Sequence, residues 1–161
     1  MARFSMFAAG LAMFGVGLAG CSEQETEPTA EQAADGVPGV TVENARLVLP
    51  PVSGNPAVAY FDLTYDGERA VMLRRADVEG AESAQLHEMV EVAGVMEMGE
   101  SVPLRINTGE TISYAPGGRH VMVFGPPSNW QAGDTAQVTL TFLGGDTVTF
   151  PATIQAADED R

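Results

Sequence analysis

The chain has 161 residues, 45% of them hydrophobic and 19% charged, which suits one domain of ordinary size and is too little for two. Its 22 acidic residues outweigh eight basic ones, all arginine, and a formal net charge of −14 repels phosphate backbones, so nucleic acid is excluded as a partner. A single cysteine excludes an internal disulfide framework, a cysteine-based zinc site and an iron–sulfur cluster.

Residues 1–20 read as a secretory signal. Arg3 gives a short positive start, Phe4 to Leu18 is uncharged and apolar apart from one serine, and the small residues Ala19 and Gly20 follow. The apolar run is shorter than the roughly 20 residues needed to span a bilayer. Leu18-Ala19-Gly20-Cys21 resembles the bacterial lipobox, which implies that Cys21 becomes the acylated first residue of the mature protein. More than one acyl chain is needed for a stable anchor, and the resemblance implies two or three. Ser22 after the cysteine favours the outer membrane. Residues 21–39 hold Glu23, Glu25, Glu27, Glu31 and Asp35 among small and polar residues, and read as a lipidated, flexible acidic tether. Residues 157–161 read as an acidic tail.

Between these ends, residues 40–156 form the expected domain, and their hydrophobic pattern has period two. In Thr135–Phe142, Val138, Leu140 and Phe142 alternate with Thr139 and Thr141, and Val148 and Phe150 resume the scheme after the turn Gly144-Gly145-Asp146. Further strands are expected at Val40–Leu49, Ala57–Tyr65, Val71–Val78, Gln85–Val92, Val95–Met98, Thr111–Tyr114 and Arg119–Phe124, separated by Gly-, Pro- and Asn-containing turns. No stretch carries a sustained helical stripe. The expected fold is all-β, an antiparallel Greek-key β-sandwich. About 115 residues in that form bury enough apolar surface to need no metal for stability, so a metal site would be a functional addition.

The chemistry gathers around two histidines, His87 and His120, each followed two residues later by methionine, Met89 and Met122. On a strand, residues i and i+2 share a face, so each pair presents an imidazole beside a thioether. Met96-Glu97-Met98 adds a third strand-spaced pair, which the turn at Ala93-Gly94 folds back toward His87. Methionine is most often core filler and a lone histidine is most often no ligand. Here the joint pattern carries the weight. Thioether sulfur is soft and suits Cu(I), which also accepts imidazole, whereas zinc would have to recruit Glu88, Glu91 or Glu97 and would leave the methionines without a role. A blue-copper site needs a cysteine thiolate, and Cys21 lies at the anchor.

The spacing His87–x10–Met98–x21–His120–Val121–Met122 resembles the signature of the PCu(A)C periplasmic copper chaperones, H-x10-M-x21-H-x-M on a cupredoxin-like β-sandwich. The resemblance spans residues 40–155. It implies that His87, Met98, His120 and Met122 bind one Cu(I), and that the acceptor is a copper protein such as the binuclear copper centre of cytochrome c oxidase. Met89 and Met96 fall outside the four-ligand pattern and are either auxiliary thioethers at its rim or packing. The location implied is the periplasm, tethered to the membrane through Cys21. Two rival expectations are copper sequestration for tolerance and a metal-free structural lipoprotein. No Ser/His/Asp arrangement, paired-carboxylate cleft or phosphate loop suggests an enzyme.

Overall fold

A computed structural model describes residues 36–101 and 103–157. The signal, Cys21, most of the tether and most of the acidic tail therefore lie outside the described residues. Ten strands follow in order: β1 Val40–Val48, β2 Ala57–Tyr65, β3 Val71–Val78, β4 Ser83–Val92, β5 Val95–Glu100, β6 Leu104–Ile106, β7 Glu110–Tyr114, β8 His120–Phe124, β9 Thr135–Phe142 and β10 Thr147–Gln155. There is no helix among the described residues.

Hydrogen bonding links the strands in the order β5-β4-β8-β2-β1-β10-β9-β3-β6, with β7 also paired to β2. The ribbon folds into a sandwich because alternate residues on each half are apolar. In β2, Ala57, Ala59, Phe61, Leu63 and Tyr65 are buried while the residues between them are partly open. Facing them from the other half are Val138, Leu140 and Phe142 of β9 and Val148, Phe150 and Ile154 of β10. Phe61 ties the halves together: it stacks on Tyr114 at 4.4 Å and meets Phe150 edge-on at 5.1 Å between ring centroids. Both are arrangements that aromatic rings prefer. Val37, within the stretch read as tether, also joins the core.

The all-β sandwich expected from the sequence is the one observed, with two differences of detail. β1 and β10 run parallel, Arg46 opposite Thr153 and Val48 opposite Gln155, whereas every other strand pair is antiparallel. β6 is a strand that the pattern did not reveal. Three residues are too few for visible alternation, yet Ile106 is fully buried and Leu104 pairs with Leu73.

β7 and β8 lie along one edge of β2 in succession, β7 against Phe61–Tyr65 and β8 against Ala57–Ala59. The break between them is the turn Ala115-Pro116-Gly117-Gly118, where Gly117 has φ 77° and the Ala115 amide donates to the Arg119 carbonyl at 2.8 Å. Proline fixes the entry to this turn and glycine supplies the positive φ. His120 is the first residue of the strand that emerges.

Candidate metal centre

β4 and β8 pair antiparallel with His87 directly opposite His120. Leu86, Val121 and Val123 point into the core, so alternation turns His87, His120 and Met122 to the opposite, outer face. β5 returns alongside β4 with Met98 opposite Met89, Met96 opposite Glu91 and Glu100 opposite His87. That return depends on a two-residue turn in which Ala93 (φ 53°) and Gly94 (φ 83°) are both left-handed, the form whose twist matches a hairpin. Three strands thus bring His87, Met98, His120 and Met122 to one face, and Met89 and Met96 share it.

The two imidazoles lie 5.8 Å apart, centroid to centroid, tilted by 50°. His120 is buried, and its Nδ1 is 2.9 Å from the Gly118 carbonyl. A carbonyl can only accept, so Nδ1 carries the proton and Nε2 of the neutral ring holds a lone pair. That Nε2 is 3.3 Å from Met98 Sδ, whose lone pairs also only accept. With the ring neutral, two acceptors face each other, an arrangement that favours a cation between them.

His87 follows the same logic with the nitrogens exchanged. Its Nε2 donates to the Gln85 side-chain oxygen at 3.1 Å, which leaves the Nδ1 lone pair buried and without a partner among the described residues. Burial, and next the neighbouring His120, hold the His87 pKa below its ordinary value of 6.5, with Glu100 opposing them. The ring is therefore neutral at neutral pH, the state a metal ligand needs. Met122 stands two residues beyond His120, opposite Gln85 on β4 and Val58 on β2.

The reverse face of the same strands carries an ion pair. Glu88, next to His87, accepts from Arg119, next to His120, at 3.1 Å. It ties the two histidine-bearing strands together behind the site. Tyr114 is buried nearby, and burial raises its phenol well above the ordinary range, so it stays neutral.

This arrangement bears on the choice of ion. Among the described residues no three His, Cys, Asp or Glu side chains come together to hold a metal. Glu88 is engaged with Arg119, and Glu97, paired with Val90, lies on the opposite face from the histidines. Glu91 and Glu100 share the histidines' face, but they do not gather with the two histidines into a three-ligand group, and the donors that cluster with the imidazoles are thioethers, a soft set. Two nearby residues escaped the sequence reading. Gln85, which fixes the His87 tautomer, lies two residues before it on β4 and reads in sequence as an ordinary exposed polar residue, whereas Glu100 is brought opposite His87 only by the strand register.

Residues 40–154 match the model of a protein family described as "Putative lipoprotein LpqE-like". The chain belongs to the LpqE-like family. A curated relative, "Putative lipoprotein Lxx21020" of Leifsonia xyli subsp. xyli, is 31% identical over 135 residues, covering 82% of this chain and 78% of the relative. Among solved structures, Cu(I)-bound DR1885 from Deinococcus radiodurans is similar at 26% identity and a TM-score of 0.60, covering 78% of this chain and 83% of that one. A copper-bound PCuAC domain from PmoF2 gives a TM-score of 0.60 at 22% identity, covering 74% of this chain and 95% of the domain. This LpqE-like chain therefore has the cupredoxin-like PCuAC fold, as the motif spacing led one to expect.

Proposed function

We propose that this LpqE-like protein is a copper chaperone that holds one Cu(I) between His87, Met98, His120 and Met122 and releases it to an acceptor protein. The observation that carries the proposal is the 3.3 Å approach of His120 Nε2 to Met98 Sδ, with the imidazole proton committed to Gly118 on the far side of the ring. The copper-bound structures of DR1885 and of the PmoF2 domain support the same reading.

Copper is cargo here, and what the chain supplies is a set of neutral ligands. Two imidazoles and two thioethers add no charge, so a partly buried site favours the monovalent ion over the divalent one, whose burial costs more. Gly118 and Gln85 fix the two tautomers in advance, so each ring in its neutral form already presents one free nitrogen lone pair. Met98 is 53% exposed, which leaves one ligand open to displacement by a ligand of the acceptor. Release then proceeds by exchanging one neutral ligand at a time, with no change in oxidation state.

The acceptor proposed is a copper-binding respiratory subunit, the binuclear copper centre of cytochrome c oxidase. The site of action proposed is the periplasm, with the chain anchored through Cys21 and the outer membrane favoured. Anaerobic competition of the purified protein against a chromogenic Cu(I) chelator tests the binding step. One equivalent retained at submicromolar free Cu(I), and lost in His120→Ala, is the expected result; no retention overturns the proposal. Delivery is tested by oxidase activity in a deletion strain under copper limitation. Loss of activity that copper restores is expected, and unaffected activity with increased copper sensitivity would point to sequestration.

A further inference from the structure

Two methionines outside the four-residue site, Met89 and Met96, lie on its face. Met89 is the direct cross-strand partner of Met98, and Met96 stands two residues before Met98 on β5, opposite Glu91. Residues directly opposite in an antiparallel pair have Cβ atoms about 4.5–5.5 Å apart, and residues two apart on a strand share a face. Each thioether ends a side chain with three rotatable bonds, so all three sulfurs can converge on one ion.

Packing does not account for Met96, and Met89 is only partly buried. Met96 is 55% exposed and Met98 53%, and on the other face of the hairpin Val90, Val92 and Val95 are exposed too. Met98 is thus flanked by His120 on its inner side and by thioethers on its outer side.

We infer that Met89, Met96 and Met98 form an outer, sulfur-only position for Cu(I), through which the ion enters and leaves the inner site. The inference rests on the reading of His87, Met98, His120 and Met122 as the inner ligands. Met98 belongs to both positions and is the residue on which the ion pivots. Three thioethers without imidazole hold Cu(I) less firmly than the inner set, which suits a position of transit. Glu91, on the same face and opposite Met96, adds negative charge that attracts a cation without being a soft ligand for it. Copper stays monovalent throughout, and each step replaces one neutral ligand by another.

The experiment is an anaerobic Cu(I) titration of the protein labelled with carbon-13 at its methionine methyl groups, followed by NMR. The first equivalent is expected to shift Met98 and Met122, and further Cu(I) to shift Met89 and Met96. Met72, which pairs with Arg105 on the β3–β6 edge, serves as the unmoved control. A Met89→Leu/Met96→Leu double variant keeps apolar volume and removes sulfur. It is expected to bind the first equivalent with unchanged affinity, to lose the second response, and to pass copper to a chelator about tenfold more slowly, equivalent to about 1.4 kcal/mol of barrier. The exposed single variant Met96→Leu, which poses no folding risk, is expected to show the same slowing in smaller degree. Methyls of Met89 and Met96 that stay still under excess Cu(I), or a double variant with the wild-type transfer rate, overturn the inference. Methyls of Met98 and Met122 that ignore the first equivalent overturn the inner site itself, and the inference with it, so the two failures are told apart.

Discussion

The sandwich core and the β4–β5 hairpin are written in the same period-two code, and the code means different things in the two places. In β2 the alternation buries one face completely, with Phe61, Leu63 and Ala59 at or near zero exposure. In the outer half of the hairpin neither face is buried: Val90, Val92 and Val95 on one side and Met96 and Met98 on the other are all between 38% and 59% exposed. Alternation reports which residues share a face; burial depends on what packs against that face. Where nothing does, a shared face is free to collect ligands rather than hydrophobic contacts.

The sharpest way to break this comparison is to damage each region separately. Phe61→Ala removes a ring that bridges both halves, and is expected to cost about 3–5 kcal/mol of stability in a urea titration. A loss below about 1 kcal/mol would show that the core is not organised around it. His120→Ala is expected to weaken Cu(I) binding by more than the roughly 10–100-fold typical of losing a ligand's supporting hydrogen bond. Met98→Leu, by contrast, is expected to leave stability within about 1 kcal/mol of wild type while weakening Cu(I) binding, because the residue is half exposed and Leu conserves its volume. A large stability loss in Met98→Leu would place it with the core after all.

The extent to which the sequence foretold this division varies from residue to residue. The spacing of His87, Met98, His120 and Met122 was visible, as was the sharing of faces, because both depend only on counting along a strand. Register was not visible. That His87 opposes His120, and Met98 opposes Met89, follows from how Ala93-Gly94 and Ala115–Gly118 turn the chain, and counting alone does not fix those turns. The same limit hid Glu100, whereas Gln85, two residues before His87 on one strand, was within reach of counting but reads as an ordinary exposed polar residue. The Glu88–Arg119 pair was hidden for another reason: it lies on the reverse face, where a charged residue reads as solvated surface. β6 and the parallel β1–β10 pairing are tertiary choices with no local signature.

Smaller effects sharpen the comparison further. The His87 pKa is lowered in the folded state, so the unfolded chain takes up this proton first as the pH falls below 6.5. The apo protein is therefore expected to keep this contribution fully above 6.5 and to lose stability as the pH falls through the range down to the folded-state pKa. Replacing His87 with Gln should reduce that acid sensitivity, as seen in denaturant midpoints at neutral and mildly acidic pH. An unchanged pH dependence would mean that His87 is not burdened by burial. Glu88→Gln should cost about 1 kcal/mol or less, since the pair is partly exposed, yet it should weaken copper binding by loosening β4 against β8. The smallest effect is at the hairpin turn. Ala93→Gly relieves a left-handed alanine and is expected to stabilise the protein by about half a kcal/mol, the steric gain being partly offset by unfolded-state entropy.

The most direct measurement of the central claim is X-ray absorption at the copper edge on the protein loaded with one equivalent of Cu(I). The four-residue site requires a monovalent edge and a first shell of two imidazole nitrogens and two sulfurs, losing one nitrogen in His120→Ala and one sulfur in Met122→Leu. A first shell of nitrogen and oxygen without sulfur, or one unchanged in both variants, would contradict it.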